Sequence, residues 1–129
     1  MADLNDKLNE LNNTSDTTEE FDPQDIMNNK VMGILAYFSW LVLIPLFAAK
    51  NSPFARFHVN QGITLAIAEI IALIVCGILA GIPLIGGIFA IVQKLICLAC
   101  FILAVLGIIN AANGKAKDLP IIGSIRILK

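Results

Sequence analysis

Three cysteines and a single histidine are the residues of this 129-residue chain that most readily suggest chemistry. Cys97 and Cys100 form a Cys-x-x-Cys pair, a spacing found in zinc sites and in thiol oxidoreductases. A structural zinc site needs four ligands, and Cys76 with the distant His58 does not complete a workable set. The pair also lies within an apolar stretch, in line with alanine and glycine. We therefore expect small packing residues here, with no metal, no cofactor, no catalytic residue and no enzyme activity.

Polar residues inside apolar stretches are the second group of candidates, namely Glu69, Lys94 and Asn110. A carboxylate within a membrane is costly unless it is protonated or has a partner. One interpretation is an ion or proton pathway. The other places Glu69 in the helix bundle as a neutral or hydrogen-bonded group, while Lys94 extends towards the interface. We favour the second, because one acidic residue without a chain of polar partners makes a poor relay.

A third group opens the most informative stretch of the chain, SPFARFHVNQG at 52–62. Ser52 is a preferred N-cap and Pro53 suits the first helical position, so a helix is predicted to begin here. Its first turns carry a face that either binds a lipid headgroup or a partner, or serves as an aromatic and basic belt that fixes the depth of the helix. We expect its polar members to hydrogen-bond to a neighbouring helix or to the C-terminal tail. The candidate recognition face consists of Phe54, Arg56, Phe57, His58 and Gln61.

These residues must be positioned by helices in a membrane, because the chain is too apolar for a soluble domain of its size. Hydrophobic residues make up 57% of it, charged residues only 15%, and the mean hydropathy is +0.81. A stretch of about 20 apolar residues spans a bilayer as a helix. We predict an all-α membrane protein with three transmembrane helices at 31–49, 62–82 and 88–112, the second with an amphipathic interfacial start.

Aromatic residues and a proline mark the first predicted span. Pro45 removes a helical hydrogen bond and should kink the last turns. Tyr37 and Trp40 fall in the middle of the span, away from the headgroup layer where such residues usually anchor a helix. We therefore expect both to pack against other helices.

Small residues recur along the second and third predicted spans, where they would let helices approach closely in lipid. Their spacing predicts that these two spans form a close hairpin. The predicted packing residues are Ala68, Ala72, Cys76, Gly77 and Gly81, together with Ala80, on the second span, and Cys97, Cys100, Ala104, Gly107 and Ala111 on the third.

Charge is distributed unevenly, although the net charge is only −1. Residues 1–22 form a polar, acidic segment that we expect to be disordered, and residues 115–129 form a basic interfacial tail after the membrane domain at 23–114. The charge pattern excludes the aromatic-interleaved basic patch that nucleic-acid binding requires. By the positive-inside rule, three spans place the first loop and the C-terminus in the cytoplasm and the acidic N-terminal segment outside.

Four motifs together resemble a widespread bacterial family of small membrane proteins of unknown function. They are SPFARFHVNQG at 52–62, LAYFSWLVLIPL at 35–46, IINAANGK at 108–115 and LPIIG at 119–123. That family is grouped with the small inner-envelope translocon subunit of chloroplast protein import, and some magnetosome membrane proteins are similar. The resemblance implies a three-helix inner-membrane protein with no assigned catalytic residues. Chloroplast members have four spans, so an import-channel role does not transfer directly.

The expected function is a non-catalytic interaction or assembly role within the membrane. The expected location is the bacterial cytoplasmic membrane, crossed several times, with the lipid bilayer, further copies of the chain or other membrane proteins as partners and no nucleic acid. The alternative is a subunit of a protein-translocation or pore-forming complex. A pore needs several polar residues facing a common interior, whereas Glu69, Gln93, Lys94 and Asn110 are scattered at different depths.

Overall fold

The computed structural model describes residues 6–7, 16–120 and 122, and its regular secondary structure is helical. Between residues 16 and 120 four α-helices follow one another, with 3-10 turns at Thr18–Glu20 and Ser39–Val42. Within the described residues no β-strand occurs, and the only extended pairing is an isolated bridge between Asp16 and Lys117. The predicted all-α class is confirmed. The helices are α1 (Pro23–Leu35), α2 (Leu43–Ala48), α3 (Pro53–Leu79) and α4 (Gly86–Ala112).

Helices α3 and α4 form an antiparallel hairpin that runs the length of the molecule. The Ser52 hydroxyl accepts a 3.1 Å hydrogen bond from the Ala55 amide, and Pro53 follows at the first helical position, so α3 begins as its sequence predicts. At the far end, the backbone of Gly86 lies so close to the Ala80 carbonyl that an added Cβ would be 2.1 Å from its oxygen. The connection between the two helices is therefore tight and carries no charged residue.

The predicted span at 31–49 is not one helix, which corrects the expectation from its hydropathy. Helix α1 ends at Leu35, and Ser39 adopts a φ of 54°, in the left-handed region that a right-handed helix cannot include. A 3-10 turn and the short helix α2 complete the segment. Pro45 lies in the first turn of α2, where no intrahelical partner is needed for its missing amide hydrogen, so the break precedes the proline.

Residues 23–52 leave one end of the molecule and return to it. Asp25, near the start of α1, accepts a 2.6 Å hydrogen bond from the hydroxyl of Ser52, the N-cap of α3. The 13 residues of α1 cover about 20 Å, less than the roughly 30 Å of a bilayer core. Only α3 and α4 are long and apolar enough to cross a membrane, so the structure offers two candidate spans among the described residues and not the predicted three.

The N-terminal and C-terminal segments meet at this same end. The Thr17 amide donates a 3.0 Å hydrogen bond to the Ala116 carbonyl, and the Ala116 amide donates one of 2.9 Å to the Thr18 hydroxyl. The expectation that the N-terminal segment lies opposite the C-terminus is therefore wrong for this fold, because 23–52 turns back. Residues 16–22 also have a defined structure, contrary to the predicted disorder, while 1–5 and 8–15 lie outside the described residues.

Large apolar side chains cover the outside of the hairpin. Only 22% of the most apolar window of α3 and 28% of that of α4 is buried inside the protein. The core helix of a soluble protein would be mostly buried, whereas here residues such as Ile70, Ile74 and Leu95 are more than half exposed. Monomeric soluble proteins rarely expose apolar patches of this extent. This surface is suited to contact with lipid or with other membrane helices.

Candidate functional site

A buried polar network joins the break after α1 to the first turns of α3. The Tyr37 hydroxyl lies 2.6 Å from Nδ1 of His58, and Nε2 of His58 lies 3.0 Å from the Lys115 carbonyl oxygen. A carbonyl can only accept, so Nε2 donates to it and Nδ1 accepts from the tyrosine. Gln61 Nε2 then donates to the same hydroxyl at 3.0 Å. Each polar side-chain atom in this network has a hydrogen-bond partner, which is the condition for burying such groups at low cost.

The same network holds the C-terminal tail against α3. Besides Tyr37, the Gln61 amide nitrogen donates to the Lys117 carbonyl at 3.2 Å, and the Gln61 carbonyl oxygen accepts from the Leu119 amide. Together with the His58 contact to Lys115, these bonds fix three backbone groups of the tail. The expected hydrogen bonds from this face to the tail are present.

Aromatic rings enclose the network. Phe54, Phe57 and Tyr37 each meet the His58 ring edge to face, with centroid distances of 4.8, 5.2 and 5.5 Å. Phe21, from the N-terminal segment, packs in the same way on Phe54 and Phe57, at 6.3 and 5.8 Å. Such arrangements bring the positive edge of one ring to the negative face of the next.

The candidate recognition face is therefore an internal surface. Phe54, His58 and Gln61 are fully buried and Phe57 is 8% exposed, while Arg56 is half-buried. In this structure the buried members contact the chain's own tail and Phe21 of the N-terminal segment. Their spacing identified a face of the helix, but hydropathy alone could not show that the chain's own termini occupy it.

Asp25 is a site residue that the sequence analysis missed. Its carboxylate accepts hydrogen bonds from the Ser52 hydroxyl at 2.6 Å, the Phe54 amide at 3.0 Å and the Asn29 side-chain amide at 2.9 Å. Negative charge is favourable at a helix N-terminus, so Asp25 caps α3 from another element. The only sequence signal for it is an acidic residue near Pro23, at the start of α1.

A lateral cavity of about 400 Å³ opens between the break after α1 and the α3–α4 hairpin. Glu69 lines it on α3, and Cys97 lines it on α4. Trp40 lies at this cavity and is 73% exposed, so the expectation that it packs against other helices is wrong within one chain, whereas Tyr37 is buried as expected. The lining includes Tyr37, Ser39, Trp40, Gly62, Glu69, Cys97 and Phe101.

The three intramembrane polar residues lie in different surroundings. Asn110 is 2% exposed, and its backbone carbonyl accepts a 2.8 Å hydrogen bond from the backbone amide of Lys115. Lys94 is exposed on α4, and no ion pair joins it to Glu69. The three residues do not face a common interior.

The predicted small packing residues differ in burial. Cys76, Cys100, Gly107 and Ala111 are buried, whereas Cys97, Gly77 and Gly81 are exposed. Nothing lies within 4 Å of a Cβ placed at Gly77, so it is not at a helix contact. The half-buried members are Ala68, Ala72, Ala80 and Ala104.

Two glycines permit a close approach to the break after α1. A Cβ at Gly107 would be 2.3 Å from the Tyr37 ring, so this glycine accommodates the tyrosine and not α3. Gly62 was not among the predicted packing residues, yet its Cβ would be 1.8 Å from the Ala36 carbonyl oxygen. Its place at the end of the SPFARFHVNQG motif was the available signal.

The three cysteines are free thiols, with Cys97 exposed and Cys100 buried. In the part of the chain that the structure describes, no three His, Cys, Asp or Glu residues are grouped as metal ligands. The network around His58 is closed by its own hydrogen bonds, and its chemistry is that of a structural clamp between the termini and α3.

Comparison with known proteins places this chain in a family. A curated relative, a UPF0132 membrane protein from Methanocaldococcus jannaschii, is 33% identical over 102 residues, which cover 77% of this chain and 68% of the relative. No solved structure matches. The resemblance to magnetosome membrane proteins is confirmed, while the link to the chloroplast translocon subunit stays a prediction. Because a family model matches residues 28–128, the chain belongs to the magnetosome magnetite crystal formation protein family.

Proposed function

We propose that this protein is a multi-pass integral protein of the cytoplasmic membrane with a non-catalytic assembly role. The observation that carries the proposal is the division of the molecule into two parts. The α3–α4 hairpin presents apolar side chains outward along its length, while residues 16–22 and 113–120 meet the clamp around His58 at one end. Such a molecule is stable with the hairpin in lipid and the clamp at the membrane surface.

Helix lengths support this placement. Residues 62–79 of α3 cover about 27 Å and the 27 residues of α4 cover about 40 Å, close to or above the roughly 30 Å of a bilayer's hydrocarbon core. Residues 23–52 enter from the clamp end and return to it as a re-entrant segment. Irregular backbone at membrane depth is tolerated where it is buried in protein, and here Ala36 and Tyr37, at the start of the break, are buried against Gly62 and Gly107.

Charge supports an orientation. Lys50, Arg56, Lys115 and Lys117 lie at the clamp end, whereas the connection at 80–87 has no charged residue. Cytoplasmic loops carry an excess of Lys and Arg, so the clamp end faces the cytoplasm. Residues 16–22 and 113–120 then lie on that side.

An assembly role fits the closed clamp and the open flank of the hairpin. The buried His58, Tyr37 and Gln61 side chains are hydrogen-bonded to one another, so they are not available to act on a substrate. The exposed apolar flank and the lateral cavity are the surfaces available for contact in the membrane. The family's description concerns magnetite crystal formation in magnetosomes, and the part of that role that we propose for this chain is assembly within the membrane.

Crosslinking in isolated membranes tests the assembly role. The exposed Lys50 and Lys115 at the clamp end react with an amine-specific bifunctional reagent, so neighbouring copies or partners become covalently joined. We expect the chain to resist alkaline carbonate extraction and to yield discrete crosslinked species at native expression levels. A chain that is released by carbonate, or that remains wholly monomeric, contradicts the proposal.

The alternative of a pore or translocon subunit predicts a different result. Purified chain in lipid vesicles would then release a trapped ion or dye faster than protein-free vesicles do. We expect no such leak, because Glu69, Lys94 and Asn110 do not line a common path. A leak that Glu69→Gln abolishes would favour the pore over the assembly role.

A further inference from the structure

The Glu69 carboxylate has no hydrogen-bond or ion-pair partner among the described residues, although it lies on the wall of a cavity that is lined mainly by apolar side chains. It shares that wall with Gly62 and Ala66 of the same helix, which lie seven and three positions earlier and so on one face. The cavity opens sideways, towards the surroundings of the hairpin. A carboxylate in such a place calls for a cationic or hydrogen-bonding group from outside the chain.

Lys94 is the complementary group, and it is on the same flank. On α4, Cys97 and Phe101 line the cavity, and Lys94 precedes them by three and seven positions, which puts all three on one side of the helix. Lys94 is exposed and forms no ion pair with Glu69 of its own chain. One flank of the hairpin therefore carries both an acid and a base that form no ion pair with any residue in the described part of the chain.

The depths of the two groups match. Ala80 and Gly86 are level with each other, because their backbones are in contact. Counting back from that level at 1.5 Å per residue, Glu69 lies about 16 Å away and Lys94 about 12 Å away. The long lysine side chain can span a difference of about 4 Å.

We infer that this flank is a self-complementary interface, in which Glu69 of one copy pairs with Lys94 of a second copy and the reverse. A two-fold axis along the membrane normal keeps residues of two copies at equal depth, so two groups of nearly equal depth can pair twice across it. The inference rests on the proposed assembly role and names its surface. Trp40 and Phe101, which are 73% and 65% exposed at the cavity, supply apolar area for the contact.

Charge reversal in the full-length chain tests this interface. The chain is purified in mild detergent, and self-association is measured by light scattering and by copurification of two differently tagged copies. Glu69→Lys alone and Lys94→Glu alone should each weaken self-association about tenfold or more, because like charges then face each other. Lys50→Glu, a reversal of an exposed charge at the clamp end, is the matched control and should have no effect.

Mixing the two reversed chains gives the decisive result. A pair made of one Glu69→Lys copy and one Lys94→Glu copy restores both contacts, so heterodimers should form where neither variant pairs with itself. Restoration only when both reversals are in one chain would indicate an ion pair within the chain and would overturn the interface. If Glu69→Lys fails to fold, Lys94→Gln, at an exposed position, tests the interface in its place. It too should weaken self-association.

The remaining outcomes separate this inference from the assembly role. If both charge-reversed variants self-associate as well as the wild-type chain, the interface on this flank is overturned but the assembly role is not. A wild-type chain that is monomeric in detergent and in crosslinked membranes overturns both. Copurification of a different membrane protein, lost on Lys94→Gln, would assign the flank to that partner and overturn the second copy as its occupant.

Discussion

Asp25 and Ser52 are joined by a 2.6 Å hydrogen bond between their side chains, across 27 positions of sequence. The first residue lies at the start of α1, and the second caps α3. Their contact brings both ends of residues 23–52 to one end of the molecule. Hydropathy predicts that residues 31–49 cross the membrane, but because of this contact the segment 23–52 returns to the end of the molecule from which it started.

Removing the Asp25 carboxylate should loosen the start of α3. Asp25→Ala leaves the Ser52 hydroxyl and the Phe54 amide without their acceptor, and the loss of a helix cap typically costs about 1–2 kcal/mol of unfolding free energy. Thermal unfolding in mild detergent measures the change. Asp22→Ala is the matched control, since Asp22 is an exposed cap of α1 whose carboxylate accepts from the Gln24 amide. An equal loss in both variants would show that Asp25 caps nothing beyond its own helix.

Cutting the contact between His58 and the tail should expose the tail to trypsin. The Lys115 carbonyl that accepts from His58 Nε2 belongs to the peptide bond that trypsin cleaves. Loss of one hydrogen bond worth about 1–1.5 kcal/mol makes local opening, and hence cleavage, about tenfold faster in His58→Gln. Cleavage after the exposed Lys50 serves as the internal reference and should not change. Equal protection of Lys115 in both proteins would mean that the clamp does not hold the tail.

Two glycine substitutions in α3 should have opposite effects. In Gly62→Ala the new methyl group meets the Ala36 carbonyl, which is backbone and cannot rotate away, so we expect a loss of about 1–3 kcal/mol. In Gly77→Ala nothing lies within 4 Å, and alanine is favoured over glycine in a helix by up to about 1 kcal/mol. Unfolding in detergent ranks the two against wild type. A Gly62→Ala protein as stable as Gly77→Ala would contradict the close approach of the break to α3.

The helical class and the two long helices could be predicted because each rests on local signals. Ser52 and Pro53 start α3, and the apolar lengths of α3 and α4 set their extent. The return of residues 23–52 could not be predicted in this way. Hydropathy counts apolar residues without showing direction, and the reversal depends on Ser39 in a left-handed conformation and on Asp25 meeting Ser52.

The candidate site could be predicted only in part, because local spacing identifies a helix face but not the segments that pack on it. The spacing of Phe54, Phe57, His58 and Gln61 identified one helix face, and a polar partner in the tail was expected from membrane topology. That the termini cover this face depends on long-range contacts such as Thr17 with Ala116, which no periodicity encodes. Gly107 was found as a small residue, but its neighbour is Tyr37 and not α3.

The side of the membrane on which residue 19 lies tests the central claim most directly. In a chain whose native cysteines are replaced by alanine, Glu19→Cys, Asn51→Cys and Leu84→Cys each place one thiol at an exposed position. A membrane-impermeant maleimide applied to inside-out vesicles should label positions 19 and 51, and the same reagent should label position 84 only in right-side-out vesicles. Labelling of positions 19 and 51 from opposite sides would show that residues 23–52 cross the membrane and would contradict the re-entrant fold.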